Sequence, residues 1–175
     1  MNVNSVPEDS APQQPQVSGS HQLLSFDLGG QAYGIDIRKV QEVRSYVPPV
    51  RIPSSPPALL GVTNLRGQVM PVFDLRTHLG LPDRVDDRPV TAVLGFGTRT
   101  AGIVVDAVSD VLEIPAEELQ PVPLNAEAST PYVLGVASVQ RNAQPHSLIV
   151  LDPEALVASL RMRPRPARAD HREAT

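Results

Sequence analysis

The chain predicts an all-β protein of barrel or sandwich type, on three observations. Apolar residues alternate with polar ones in about ten short runs at near-regular spacing, the pattern of half-buried strands. Turn residues such as Gly29-Gly30, Arg66-Gly67 and Gly97 separate those runs. Only Pro153 to Leu160 reads as a helix of useful length, with Asp152 as N-cap and a proline in the first turn.

Taken in order, residues 1–20 place Pro7, Pro12 and Pro15 among Ser, Gln and Asn, a composition that cannot repay its ordering entropy and is expected to be a disordered tail. The folded domain is expected over residues 21–160. Leu24, Phe26 and Leu28, then Tyr33, Ile35 and Ile37, alternate around Gly29-Gly30 and predict a β-hairpin. Ile37, Val40 and Val43 recur at three-residue spacing, which fits one helical turn leading into a strand through Tyr46. Prolines 48, 49, 53, 56 and 57 leave room for a short helix over Pro56 to Leu60, capped by Ser54 or Ser55.

The central stretch is Leu59 to Arg76. Two apolar runs, Val62–Leu65 and Val69–Phe73, flank Arg66-Gly67 and predict a strand, a tight turn and a strand, with Arg66 held at the tip and exposed. Pro71 cannot donate a ladder bond, so the second strand is expected at a sheet edge or bulge. An exposed Arg on a rigid turn between aliphatic strands suits recognition of a carboxylate on another protein better than catalysis.

Leu79 to Arg88 reads as a polar loop, Val90–Phe96 and Gly102–Asp106 as strands, and Val104 to Ile114 as a long valine-rich strand. Pro115 to Leu119 predicts one helical turn, and Tyr132–Val139 and Leu148–Leu151 further strands. Spacing alone defends no internal repeat. Residues 161–175 hold Arg161, Arg163, Arg165, Arg168 and Arg172, broken by Pro164, Pro166, Asp170 and Glu173. This segment is expected to be a disordered basic tail open to acidic partners.

Composition excludes several chemistries. There are no cysteines, so disulfides, thiolate metal sites and cysteine nucleophiles are out. A net charge of −4 and 3% aromatic residues argue against a dedicated nucleic-acid binder. The N-terminal stretch lacks a basic and an apolar region, no apolar run reaches membrane-span length, and a cytoplasmic protein is expected. His21, His78, His146 and His171 are scattered without metal-ligand spacing, no serine sits in a nucleophile elbow, and Gly95, Gly97 and Gly102 do not form a dinucleotide fingerprint. Glu42, Asp74, Asp106 and Asp110 set no ligand geometry. No cofactor, no metal and no enzymatic activity are expected, which is the profile of a binding module.

Four segments then carry a family resemblance: Tyr33 to Arg44, Gly61 to Gly67, Pro71 to Arg76 and Gly102 to Leu112. In order and spacing they resemble the CheW family of chemotaxis coupling proteins, of the enteric type. The resemblance covers about Gln22 to Leu160. It implies two intertwined five-stranded SH3-like β-barrels with short helices and a C-terminal helix, acting as an adaptor without enzymatic activity. One surface, a groove between the barrels, would grip the cytoplasmic tip of a methyl-accepting chemotaxis receptor. Another would bind the regulatory domain of the histidine kinase CheA. The membrane would be reached only indirectly, through receptor arrays.

Carried over onto this chain, Val40, Glu42, Val43, Gly61, Arg66, Gly102, Val108 and Val111 are expected to contact the receptor or the kinase. Core packing is the competing reading for Val40, Val43, Val108 and Val111. Arg66 and Glu42 are expected to pair with each other and offer their remaining donors and acceptors to a partner. The run Gln140–Ser147 departs from the family's compact turn and predicts a longer or reshaped last hairpin. Two other readings stand beside the adaptor. One is a CheW-like scaffold for a histidine kinase in a non-chemotactic pathway, such as type IV pilus motility or development. The other is a small β-barrel that binds nucleic acid through its Arg-rich tail.

Overall fold

The computed structural model describes residues 19–83, 88–122 and 130–162, so the two expected tails lie almost wholly outside the described residues. Within them run ten strands: β1 (Ser20–Leu28), β2 (Gln31–Asp36), β3 (Val40–Ser45), β4 (Leu59–Leu65), β5 (Gln68–Asp74), β6 (Val90–Phe96), β7 (Arg99–Val105), β8 (Ala107–Pro115), β9 (Val133–Arg141) and β10 (Gln144–Leu151). Two helices, α1 (Leu75–His78) and α2 (Pro153–Arg161), follow β5 and β10, and 3₁₀ turns occupy Ile37–Lys39 and Ala116–Glu118. Two five-stranded sheets result. The first has the order β8-β1-β2-β10-β9 and the second β3-β6-β7-β5-β4.

Strands β6 and β7 are buried on both faces, which explains their near-continuous apolar runs, Ala92-Val93-Leu94 and Ile103-Val104-Val105. On β6, Ala92 and Leu94 join one core while Val93 joins another, and on β7 Ile103 and Val105 separate from Val104 in the same way. The largest core lies between the sheets. It takes Phe26, Leu28 and Ile35 from the first, Phe73, Leu94 and Ile103 from the second, and Leu156, Val157 and Leu160 from α2. Each sheet also encloses a core of its own. Leu23, Ile114, Ala137 and Leu148 form that of the first, and Leu65, Met70, Val72, Val93 and Val104 that of the second. Ile114 and Ala137 come from the two edge strands of the first sheet. In the second, Leu65 of the edge strand β4 shares its core with Tyr46, the residue after the edge strand β3, so each sheet curls into a small barrel.

One two-residue bridge closes each barrel. Val50 and Val62 exchange backbone hydrogen bonds of 2.8 and 2.9 Å in the second barrel, and Gln120 and Val136 exchange bonds of 2.9 and 2.8 Å in the first. A glycine precedes Val62 and Val136 because the backbones touch there. A Cβ on Gly61 would lie 2.1 Å from the Val50 carbonyl oxygen, and one on Gly135 2.5 Å from that of Gln120.

These matching closures belong to an internal repeat that spacing in the sequence did not reveal. Ser20–His78 supplies the hairpin β1–β2 to the first barrel, then crosses over and supplies β3, β4, β5 and α1 to the second. Val90–Arg161 does the reverse, giving the hairpin β6–β7 to the second barrel and β8, β9, β10 and α2 to the first. The barrels are therefore intertwined by exchange of hairpins. Register shifts recur at Leu59/Gly61 and at Val150/Leu151, in the two corresponding strand pairs.

Several local expectations change. No helix forms over Pro56–Leu60, because Leu59 already starts β4 and the Ala58 carbonyl accepts from Asp74 N at 2.7 Å. A short helix stands instead at α1, where the Asp74 carboxylate caps Arg76 N. Strand β5 is interior in its sheet, between β4 and β7, and not at an edge. Its pairing with β7 starts only at Val72, so Pro71 has β4 as its one paired neighbour and its missing N–H is tolerated. The valine-rich stretch is two strands in different barrels, broken at Asp106. The last hairpin, from Val133 to Leu151, turns tightly through Asn142 and Ala143, both at positive φ.

Candidate partner-binding surface

The turn between β4 and β5 holds Arg66 at φ 49° and Gly67 at φ 84°, the left-handed pair that a two-residue hairpin requires. Asn64 fixes it by accepting from Gly67 N at 2.8 Å. On the other side of the closure, β3 is the second edge strand and carries Glu42 and Val43. The Arg66 Nη2 donates to the Glu42 carboxylate, so the expected pair is present. Arg44 stands 3.8 Å from the other Glu42 oxygen.

Exposure divides that pair by role. The Glu42 side chain is 25% exposed and the Arg66 side chain 71%, so the carboxylate anchors a guanidinium whose remaining donors face solvent. Glu42, Val43, Arg44, Asn64, Leu65 and Arg66 line a shallow hollow of about 500 Å³. Exposed aliphatic residues are frequent on this barrel: Val43, Val47, Val50, Ile52 and Val69. A charged fork bordered by aliphatic surface can bind a protein carboxylate and exclude water around it.

The other sequence-derived residues separate into two groups. Val40 on β3 and Val108 on β8 are half-buried and pack against the core between the barrels, while Val111 on β8 is exposed. Thus Val40 and Val108 approach the junction of the barrels from opposite edge strands. Gly61 and Gly102, expected as partner contacts, are buried and serve packing. Gly61 admits the closing bridge, and a Cβ on Gly102 would meet Thr91 at 3.0 Å and Met70 at 3.2 Å.

Sequence reasoning missed a second arginine clasp. Arg141, at the end of β9, donates to both carboxylate oxygens of Asp27 at 2.8 and 3.0 Å, and Ser109 donates to Asp27 at 3.1 Å. The Arg141 hydrogen bonds hold the Asp27 carboxyl below its ordinary value, against the opposing effect of burial. Its signal was Arg141-Asn142, a turn residue following an arginine as Gly67 follows Arg66.

His78 and Asp106 have structural roles, and His171 lies outside the described residues. His78 meets the Ser159 hydroxyl at 2.8 Å and tilts against Tyr132, and burial lowers its pKa. Asp106 accepts two hydrogen bonds from Arg76, each 2.7 Å, and one from Gly29 N at 2.9 Å. Among the described residues no group of three His, Cys, Asp or Glu is placed to hold a metal ion.

Two closed barrels joined by a shared core, presenting an anchored arginine beside aliphatic surface, define a protein-docking scaffold. The CheW-like domain model matches residues 22–161, and the chain belongs to that family. Chemotaxis protein CheW of Klebsiella aerogenes is 43% identical over 143 residues, covering 81% of this chain and 84% of the relative. The probable chemotaxis protein CheW of Rhizobium etli is 34% identical, covering 70% and 81%. Protein FrzA of Myxococcus xanthus is 30% identical, covering 77% and 84%. The crystal structure of the scaffolding protein TtCheW from Thermoanaerobacter tengcongensis superposes with a TM-score of 0.67 at 29% identity, covering 77% of this chain and 90% of that one. The chain is accordingly a coupling adaptor of the chemotaxis type.

Proposed function

We propose that this adaptor holds a CheA-type histidine kinase against the cytoplasmic tip of a methyl-accepting chemotaxis receptor, by assembly and without turnover or cofactor. The Arg66–Glu42 pair carries the reading. It displays a fixed guanidinium at the rim of a shallow, mainly polar hollow with Val43 beside it, the arrangement that supports docking of an acidic or polar protein surface. Val43 adds apolar contact beside it, Val40 and Val108 supply contacts near the junction of the barrels, and Val111 offers exposed apolar surface on β8.

An interface of about 800 Å² per partner is enough for binding from micromolar to nanomolar strength. Modest pairwise affinities suffice where receptors supply many linked sites at high effective concentration. Differential contacts in two receptor states would then shift the kinase between its own states. No helix among the described residues is long and apolar enough to cross a membrane, so the proposed recruitment to receptor arrays runs through partner contacts.

The test is affinity capture from a lysate of the source cells, with the wild-type chain and Arg66→Glu side by side and bound proteins identified by mass spectrometry. Recovery of a receptor and a CheA-type kinase, with loss of either on the variant, is the expected result. Recovery of neither by the wild type overturns the reading. The likeness to Protein FrzA fits one other reading, a kinase scaffold in a non-chemotactic pathway, which recovery of a kinase without a receptor selects. A double-mutant cycle on Arg66→Ala and Glu42→Ala separates the pair from its members. Absence of coupling energy would show that the two residues act independently.

A further inference from the structure

We infer that a basic trough beside α2 binds an acidic segment of a partner protein, through Arg99 and Arg161. The trough lies between the first crossover, the β6–β7 turn and α2, and its volume is about 380 Å³. Phe96, Val157 and Ala158 give it an apolar floor, and Lys39, Arg99 and Arg161 stand around it. Its one carboxylate, Glu154, is already taken by Lys39 at 2.7 Å. Among the described residues neither Arg99 nor Arg161 has a carboxylate partner.

Two exposed guanidinium forks over an apolar floor match a peptide with carboxylates on either side of one apolar anchor. The sequence extends the same charge. Arg163, Arg165, Arg168 and Arg172 follow Arg161 directly, against Asp170 and Glu173 alone. The apolar floor favours a protein segment over nucleic acid, and the 3% aromatic content provides few stacking surfaces for bases. This site uses none of the proposed coupling residues, although Lys39 on its wall is the chain neighbour of Val40.

The test is fluorescence anisotropy of the full chain with a fluorescein-labelled Glu-Asp-Glu-Leu-Glu-Asp-Glu peptide. Saturable binding is expected, weakened at least about tenfold by the double variant Arg99→Glu, Arg161→Glu and by Ala158→Glu, and weakened less by Arg66→Glu. Thermal melts confirm that each variant folds. Removal of residues 163–175 should weaken binding without abolishing it. No binding, or binding indifferent to the trough variants, overturns the inference. Equal binding to a labelled DNA duplex or to phosphatidylserine vesicles also overturns it, because the trough would then be a general anion surface. So does binding that appears only after removal of residues 1–18, whose charged side chains are Glu8 and Asp9, since the occupant is then the chain itself.

Discussion

The chain crosses between barrels twice, and the two crossings are held by different chemistry. After β7 the crossing passes through Asp106, which Arg76 of α1 grips with two hydrogen bonds while Gly29 N donates a third. After β2 it passes through Lys39, which Glu154 of α2 meets with one contact. Arg76 and Glu154 occupy the same place, two residues beyond the helix caps Asp74 and Asp152. The first pair is 13% and 19% exposed, and the second 37% and 63%. One position in a repeated fold thus carries a shielded bidentate anchor in one copy and a solvated ion pair in the other. The topology demands a tether and leaves its strength to the local environment.

The barrel closures offer the severest test of the repeat. Gly61→Val and Gly135→Val should each cost more than about 3 kcal/mol, since a side chain there strikes a backbone carbonyl that cannot move without opening the bridge. Denaturant unfolding measures this, and a loss confined to one of the two would end the equivalence of the closures.

The crossings come next. Arg76→Ala should cost about 2 kcal/mol, because it removes two charge-assisted hydrogen bonds from a shielded carboxylate. Lys39→Ala should cost under about 1 kcal/mol, the range of an exposed pair. Equal losses in urea melts would sink the distinction between the two tethers.

The smallest expected effect concerns the arginine clasps. Asp27 is held below its ordinary carboxyl value of 3.8, chiefly by Arg141. A lowered folded pKa adds stability that is present above about pH 4 and is lost as pH falls through the folded value. The stability difference between wild type and Asp27→Asn should therefore shrink on acidification below about pH 4. A difference that grew instead would refute the assigned role of Arg141.

Much of the fold was legible because alternation and turn chemistry are local. The β1–β2 hairpin, the Arg66-Gly67 turn and the Asp152 cap all followed from neighbouring residues. The short helix expected over Pro56–Leu60 failed because Ala58 and Leu59 are claimed by sheet partners distant in sequence. Similarly, Gly61 and Gly102 carried the look of site residues, yet their constraint is a close backbone or side-chain approach that only packing reveals.

By itself the sequence determined most of the strands and turns, the capped C-terminal helix and, through four long motifs, the family. Each of these depends on residues close together in the chain, or on a likeness that preserves their order. The tertiary structure alone decided which barrel each strand enters, that two halves exchange hairpins, and that Arg141 reaches Asp27. Those outcomes rest on contacts between segments far apart in sequence, where burial and pairing select one partner among many and no local pattern records the choice.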